Sequence, residues 1–208
     1  MSFDGGNRHN WLMTTVNLEP ATRRMADLIR AVPGDLLGRP TPCPDYTLGD
    51  LVDHVGGLTV AFTAAARKDT GELGSQRASG DASRLGDDWR TRIPRDLAVL
   101  AEAWSDPAAW SGSTRAGGVD LPGEVAGLVA LDELVVHGWD VARASGLPYD
   151  CDRPSLEAVH GFVSQFSGPG MEAQREGLFG PVVEVPPDAP LLDRVLGLAG
   201  RDPGWSPA

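Results

Sequence analysis

The chain has 208 residues, 41% hydrophobic and 23% charged, which suits one compact domain or one bundle with a small appended segment. Eighteen Lys and Arg against 29 Asp and Glu leave a net charge of −11, which argues against the clustered basic surface that a nucleic-acid backbone requires. No apolar run approaches the roughly 20 residues of a membrane span, and the first residues lack the basic-then-apolar pattern of a signal peptide. A cytoplasmic protein, monomeric or homodimeric, is therefore expected.

In chain order, residues 1–16 read as a flexible tail. A first helix is predicted from about Leu18 to Ala31, with Leu18, Met25, Leu28, Ile29 and Val32 apolar and Pro33-Gly34 ending it. After the proline-rich Arg39–Pro44, Thr47 makes a good N-cap, with Asp50 three residues on in the manner of a capping box. The second helix then carries Leu48, Leu51, Val52, Val55, Leu58 and Phe62 on its buried side. Residues 69–82 are rich in Gly, Ser and Asp and read as a mobile loop.

A third helical region is predicted from Ser83 to Trp104, kinked or restarted at Pro94. Its Arg84, Arg90, Arg92 and Arg95 alternate with Asp87, Asp88 and Asp96, as on a solvated face. Asp106 to Gly118 reads as irregular, with Trp110 as its anchor. A fourth helix begins near Pro122 and runs to about Ala144, where Gly146 can cap it and Pro148 blocks its continuation. Further helices are expected from Pro154 to Phe166 and from Pro190 to Leu198, with Val182–Val185 at best a minor strand. The pattern is an all-α, up-down bundle of four main helices with antiparallel neighbours, one long connection after the second helix, and a short C-terminal helical extension. Its expected divisions are the tail at 1–16, the bundle at 17–150 and the extension at 151–208.

Two stretches carry chemistry. In a helix, residues four apart share a face, so Glu133 and His137 point the same way. That face reads Ala126, Ala130, Glu133, His137, Asp140, Ala144, and its small residues leave room for a cavity beside the polar groups. On the second helix His54 falls in line with Leu51, Leu58 and Ala61, which aims its imidazole inward. Two imidazoles and a carboxylate converging between helices make a donor set for a divalent first-row ion such as Zn²⁺, Ni²⁺ or Fe²⁺, with positions left open. A di-iron site is disfavoured, because it needs Glu-x-x-His pairs from two helices. A buried, hydrogen-bonded histidine and a chance helical spacing are the commoner explanation of such residues, so spacing alone does not favour the metal. His160 is a fourth-ligand candidate for which a structural role is favoured, and His9 lies in the tail.

The two cysteines show no Cys-x-x-Cys spacing, and a disulfide between Cys43 and Cys151 is not expected in a cytosolic chain. Cys43 precedes a helix N-terminus, where a dipole could lower its pKa. It stands four residues before Thr47, however, so a buried packing role is favoured.

The segment Thr41-Pro-Cys-Pro-Asp-Tyr-Thr-Leu-Gly-Asp-Leu-Val-Asp-His54 resembles the opening motif of the mycothiol-dependent maleylpyruvate isomerase N-terminal group. That group lies in the DinB-like (DinB/YfiT) superfamily of metal-binding helical bundles. Glu133-Leu-Val-Val-His-Gly-Trp-Asp-Val-Ala-Arg-Ala-Ser-Gly146 is similar to a second motif of the group. Ala189-Pro-Leu-Leu-Asp-Arg-Val-Leu-Gly-Leu-Ala-Gly-Arg-Asp-Pro203 resembles the ending of an actinobacterial subgroup described only as metal-binding. The resemblance implies a DinB-like four-helix bundle with a divalent metal, Zn²⁺ or Ni²⁺ first, on His54, Glu133 and His137. It implies a metal that activates a small-molecule thiol such as mycothiol toward an electrophilic substrate, in a transferase or isomerase. Asp140 would then orient His137 or a bound water. The alternative is a non-catalytic metal-binding or regulatory module whose acidic surface contacts a protein partner. Arg84, Arg90 and Arg92 are candidates for substrate carboxylates only by their place in the third helical region.

Overall fold

The computed structural model describes residues 16–71, 78–175 and 177–207, so the tail expected at 1–16 lies almost wholly outside the described residues. Four long helices form the bundle: α1 (Glu19–Ala31), α2 (Leu48–Ala66), α3 (Trp89–Ser105) and, after a short helix and a hairpin, α5 (Gly123–Ser145). Between α3 and α5 stand α4 (Pro107–Trp110), β1 (Ser113–Ala116) and β2 (Val119–Pro122). After α5 come α6 (Arg153–Ser164), the single turn α7 (Glu172–Arg175) and α8 (Leu191–Leu198).

The bundle closes in the ring order α1–α3–α2–α5, so α1 and α2 oppose each other across its diagonal. This differs from the up-down reading, in which successive helices are neighbours. The connection over residues 32–47 is long enough to cross the end of the bundle, and Leu48 N–H, donating to Arg39 O at 2.8 Å, anchors its return. The α6–α8 pair packs together and lies against α5 through α6. The core is a continuous apolar cluster that includes Met25, Ile29, Leu51, Ile93, Leu97, Leu100, Leu131 and Trp104, all essentially buried.

Local chemistry explains the boundaries. Thr47 and Asp50 form the anticipated capping box, with Asp50 N–H donating to Thr47 Oγ1 at 3.3 Å and Thr47 N–H to Asp50 Oδ2 at 3.1 Å. Gly146 ends α5 in the left-handed conformation at φ +72°. The third helix starts at Trp89 rather than Ser83, because Gly86 at φ +66° interrupts the chain after a single 3-10 turn at Ala82–Arg84. Pro94 does not restart α3. It sits early in the helix, where its missing N–H costs only the bond to Arg90 O, and its ring is buried in the core.

The stretch read as irregular is instead α4 followed by an antiparallel hairpin, with Ala116 opposite Val119. Gly117 and Gly118 make its two-residue turn at φ +58° and +80°, a conformation two glycines adopt freely. Thr114 Oγ1–H donates to Ala65 O at 2.6 Å and ties the hairpin to the end of α2. Pro122 is the N-cap residue of α5 rather than part of its first turn, and Val182–Val185 forms no strand.

Candidate metal centre

The capping box sets the phase of α2, and His54, one turn beyond Asp50, then faces the interior at 8% exposure. The α5 helix brings Glu133 and His137 to the same place from the opposite side. Glu133 Oε2 lies 3.0 Å from His137 Nε2 and 3.8 Å from His54 Nε2. All three donor atoms fall within 4.8 Å of one another. Donors on one tetrahedral ion with bonds near 2.0–2.1 Å stand about 3.3 Å apart, so the separations present bracket that value. The two imidazoles meet edge to face with centroids 5.2 Å apart, and the Tyr46 ring covers the other side of His54 at 4.9 Å.

A buried carboxylate backs the set. His137 Nδ1–H donates to Asp140 Oδ2 at 2.9 Å, and Asp140 is entirely buried. Its partner on the far side is Arg201, beyond α8, which donates from Nε to Oδ1 and Oδ2 at 3.1 and 3.2 Å and from Nη2 to Oδ2 at 3.1 Å. A carboxylate hydrogen-bonded to the second nitrogen of a ligating histidine fixes which nitrogen is free to bind. Here it directs Nε2 toward Glu133 and His54.

Burial by itself would lower the His137 pKa, but hydrogen bonds to Asp140 and Glu133 prevail and raise it to about 10. Burial would likewise raise Glu133, yet its two histidine partners hold it well below the usual carboxylate range. Arg201 follows the same pattern: Asp140 outweighs the cost of burial and keeps it firmly charged. In the metal-free protein a proton thus occupies the Nε2 position that an ion would take. The neighbouring Asp132 behaves differently. Its Oδ1 is buried without a hydrogen-bond partner among the described residues, and burial, reinforced by the Glu133 charge, pushes its pKa up to about 8.

A second group of donors among the described residues is Cys43, His137 and Asp140. It is a poor cation site, because the Arg201 guanidinium already occupies both Asp140 oxygens. Burial raises the Cys43 thiol rather than lowering it, and the side chain is buried close to His137. Cys43 and Cys151 are both free cysteines. The Glu133 side chain is 28% exposed, and the residue also borders a small apolar cavity of about 10 Å³. Met25, Val55, Leu58, Phe62 and Ala130 line that cavity, the last being one of the alanines flanking Glu133.

The other candidates lie elsewhere. Arg84 pairs with Asp53 at 2.8 Å, Arg90 donates to Val32 O, and Arg92 donates to Leu85 O. None of the three belongs to the donor set. His160, on α6, is half-buried and stands outside both donor groups, while His9 lies outside the described residues. Arg201 and Asp132 are the residues that the sequence reading did not single out. Arg201 was visible only as the lone cation of the closing Gly200–Pro203 stretch, and no spacing rule links it to a residue 61 positions earlier.

No helix among the described residues is long and apolar enough to cross a membrane. The chain is 28% identical over 182 residues to the uncharacterized protein Rv0738 of Mycobacterium tuberculosis strain H37Rv, with 85% of this chain and 91% of that protein covered. The uncharacterized protein MT0763 of strain CDC 1551 / Oshkosh matches equally well. In structure it is similar to the mycothiol-dependent maleylpyruvate isomerase, with TM-score 0.55 and 16% identity over 74% of this chain and 69% of that one. A histidine-to-alanine mutant of that isomerase gives TM-score 0.53 and 18% identity over 74% and 71%. At these identities the likeness establishes the shared DinB-like helical fold. The family model for the mycothiol maleylpyruvate isomerase N-terminal domain matches residues 18–142, which hold all four bundle helices up to Ala142 and all three donors, and the chain belongs to that family.

Proposed function

We propose that this protein holds one divalent metal ion on His54, Glu133 and His137 and uses it in a mycothiol-dependent transfer or isomerisation of an electrophilic substrate. The observation that carries the reading is the donor set itself: three metal-compatible atoms on facing helices at 3.0 and 3.8 Å, with Asp140 beneath His137. When bound, the ion would supply a Lewis-acidic centre at which a thiol ionises near neutral pH. Zn²⁺ and Ni²⁺ suit two imidazoles and one carboxylate.

The chain's own residues have separate tasks. Asp140 accepts a hydrogen bond from His137 Nδ1–H and so holds Nε2 toward Glu133 and His54, while Tyr46 packs against His54. The donors lie between α2 and α5, with both imidazoles largely buried and Glu133 the most exposed of the three. Residues 17–150 form the metal-holding unit in this reading, and 151–208 support it from outside.

The partial exposure of Glu133 favours a site with an open position over a closed structural site in a regulatory module. Mycothiol, and the maleylpyruvate isomerisation named for the structural relative, are the first thiol and reaction to try. Purified protein reconstituted with Zn²⁺ or Ni²⁺ should convert mycothiol and an electrophilic acceptor to product, and chelation should abolish the turnover. A metal-loaded protein that, with mycothiol present, neither isomerises maleylpyruvate nor conjugates any of a panel of electrophiles would reject the enzymatic reading.

A further inference from the structure

We infer that Arg201 is a positioning residue for the donor set, acting through Asp140 on His137. The inference rests on the metal reading above and extends it to the C-terminal segment, which the matched family region at residues 18–142 does not include.

Asp140 is fully buried and its Oδ2 receives the hydrogen bond from His137 Nδ1–H at 2.9 Å. A carboxylate with that single partner could turn about its own side-chain bond and release the imidazole. Arg201 removes this freedom by engaging both oxygens with two nitrogens of one rigid planar fork. The guanidinium is itself tethered, since Nη1 reaches Ala199 O at 3.4 Å and the Arg201 backbone N–H donates to Leu196 O at 2.8 Å.

Three features of the segment explain why it stays in place. Gly200, at φ +83° and packed against the Gly180 backbone, turns the chain back toward α5 directly after α8. Arg175 Nη2 donates to Leu198 O at 2.8 Å and secures the end of α8 itself. Arg143 of α5 donates from Nε to Trp205 O at 3.1 Å, so the chain is held on both sides of Arg201. The C-terminal segment thereby forms part of the donor set's support.

The test measures Zn²⁺ affinity of the full chain by competition with a chromophoric chelator, together with the visible spectrum of the Co²⁺ form. Arg201→Met should weaken Zn²⁺ binding by about 10–100-fold and shift the Co²⁺ bands, while Arg201→Lys, which keeps the charge but not the fork, should recover part of the loss. Asp140→Asn and the Asp140→Asn/Arg201→Met double variant should bind Zn²⁺ equally, because once Asp140 is changed Arg201 has nothing left to position. The double variant also lacks the unpaired buried carboxylate that could unfold Arg201→Met, so the comparison stands if that single variant fails to fold. Unchanged affinity in folded Arg201→Met, or a further tenfold loss in the double variant, overturns the role of Arg201 while leaving the metal reading intact. A wild-type chain that binds neither Zn²⁺ nor Co²⁺ overturns both.

Discussion

His137 stands between two carboxylates, and that position governs how the site answers to pH. Its folded pKa of about 10 exceeds the ordinary histidine value, so the metal-free folded state keeps a proton that the unfolded chain releases. The stabilisation is complete below about pH 6.5 and is lost as pH rises through 10. Asp132, raised to about 8, acts in the same direction, because its folded form also binds the extra proton. Thermal unfolding of the metal-free protein should therefore show stability falling as pH rises, through about 4–8 for Asp132 and about 6.5–10 for His137, and a flat or rising profile between 6.5 and 8, where both act, would contradict the geometry. Metal binding must displace the His137 proton, so affinity should climb by up to about tenfold per pH unit over the lower part of the His137 window. At this scale much was legible in the sequence. Glu133, His137 and Asp140 share a helical face by spacing, and His54 lies in an apolar stripe. Arg201 was not legible, because contact across 61 residues is a product of tertiary packing rather than of local periodicity.

Among the elements, α5 determines most of the site because nearly every face of it is covered. Gly127 shows how tightly: a Cβ there would lie 2.5 Å from the Trp110 ring and 2.9 Å from Trp104. Those two indoles pack edge to face and donate to Trp104 O and Phe62 O at 2.8 and 3.1 Å, so neither ring can yield freely. Gly127→Ala should destabilise the protein by about 1–3 kcal/mol through overpacking, measured by denaturant unfolding with an unchanged m-value. A neutral or stabilising result would mean that α5 is not seated as described. The helix starts and stops that rest on local chemistry, the Thr47–Asp50 box and the Gly146 cap, were readable from the sequence. The hairpin was readable in principle from Gly117-Gly118, but its four-residue strands are too short to show an alternating pattern. The late start of α3 depended on the backbone at Gly86, where composition alone does not separate a helix interior from a break.

For the whole molecule, the ring order places α2 beside α5, and this adjacency brings His54 to the Glu133–His137 pair. The four-helix count followed from the apolar patterning. The order did not, because a connection as long as residues 32–47 permits either a neighbouring or a diagonal placement. The extension then closes the assembly, with α6 against α5 and the Arg201 side chain on the buried Asp140 of α5. The most direct test of the account is the metal content of the purified full chain, measured by elemental analysis beside His54→Ala and, as a control outside the donor set, His160→Ala. About one divalent ion per chain in the wild type and in His160→Ala, with loss of the ion from a folded His54→Ala, is the predicted result. Equal metal content in wild type and His54→Ala, or none in any of the three after reconstitution, would contradict it.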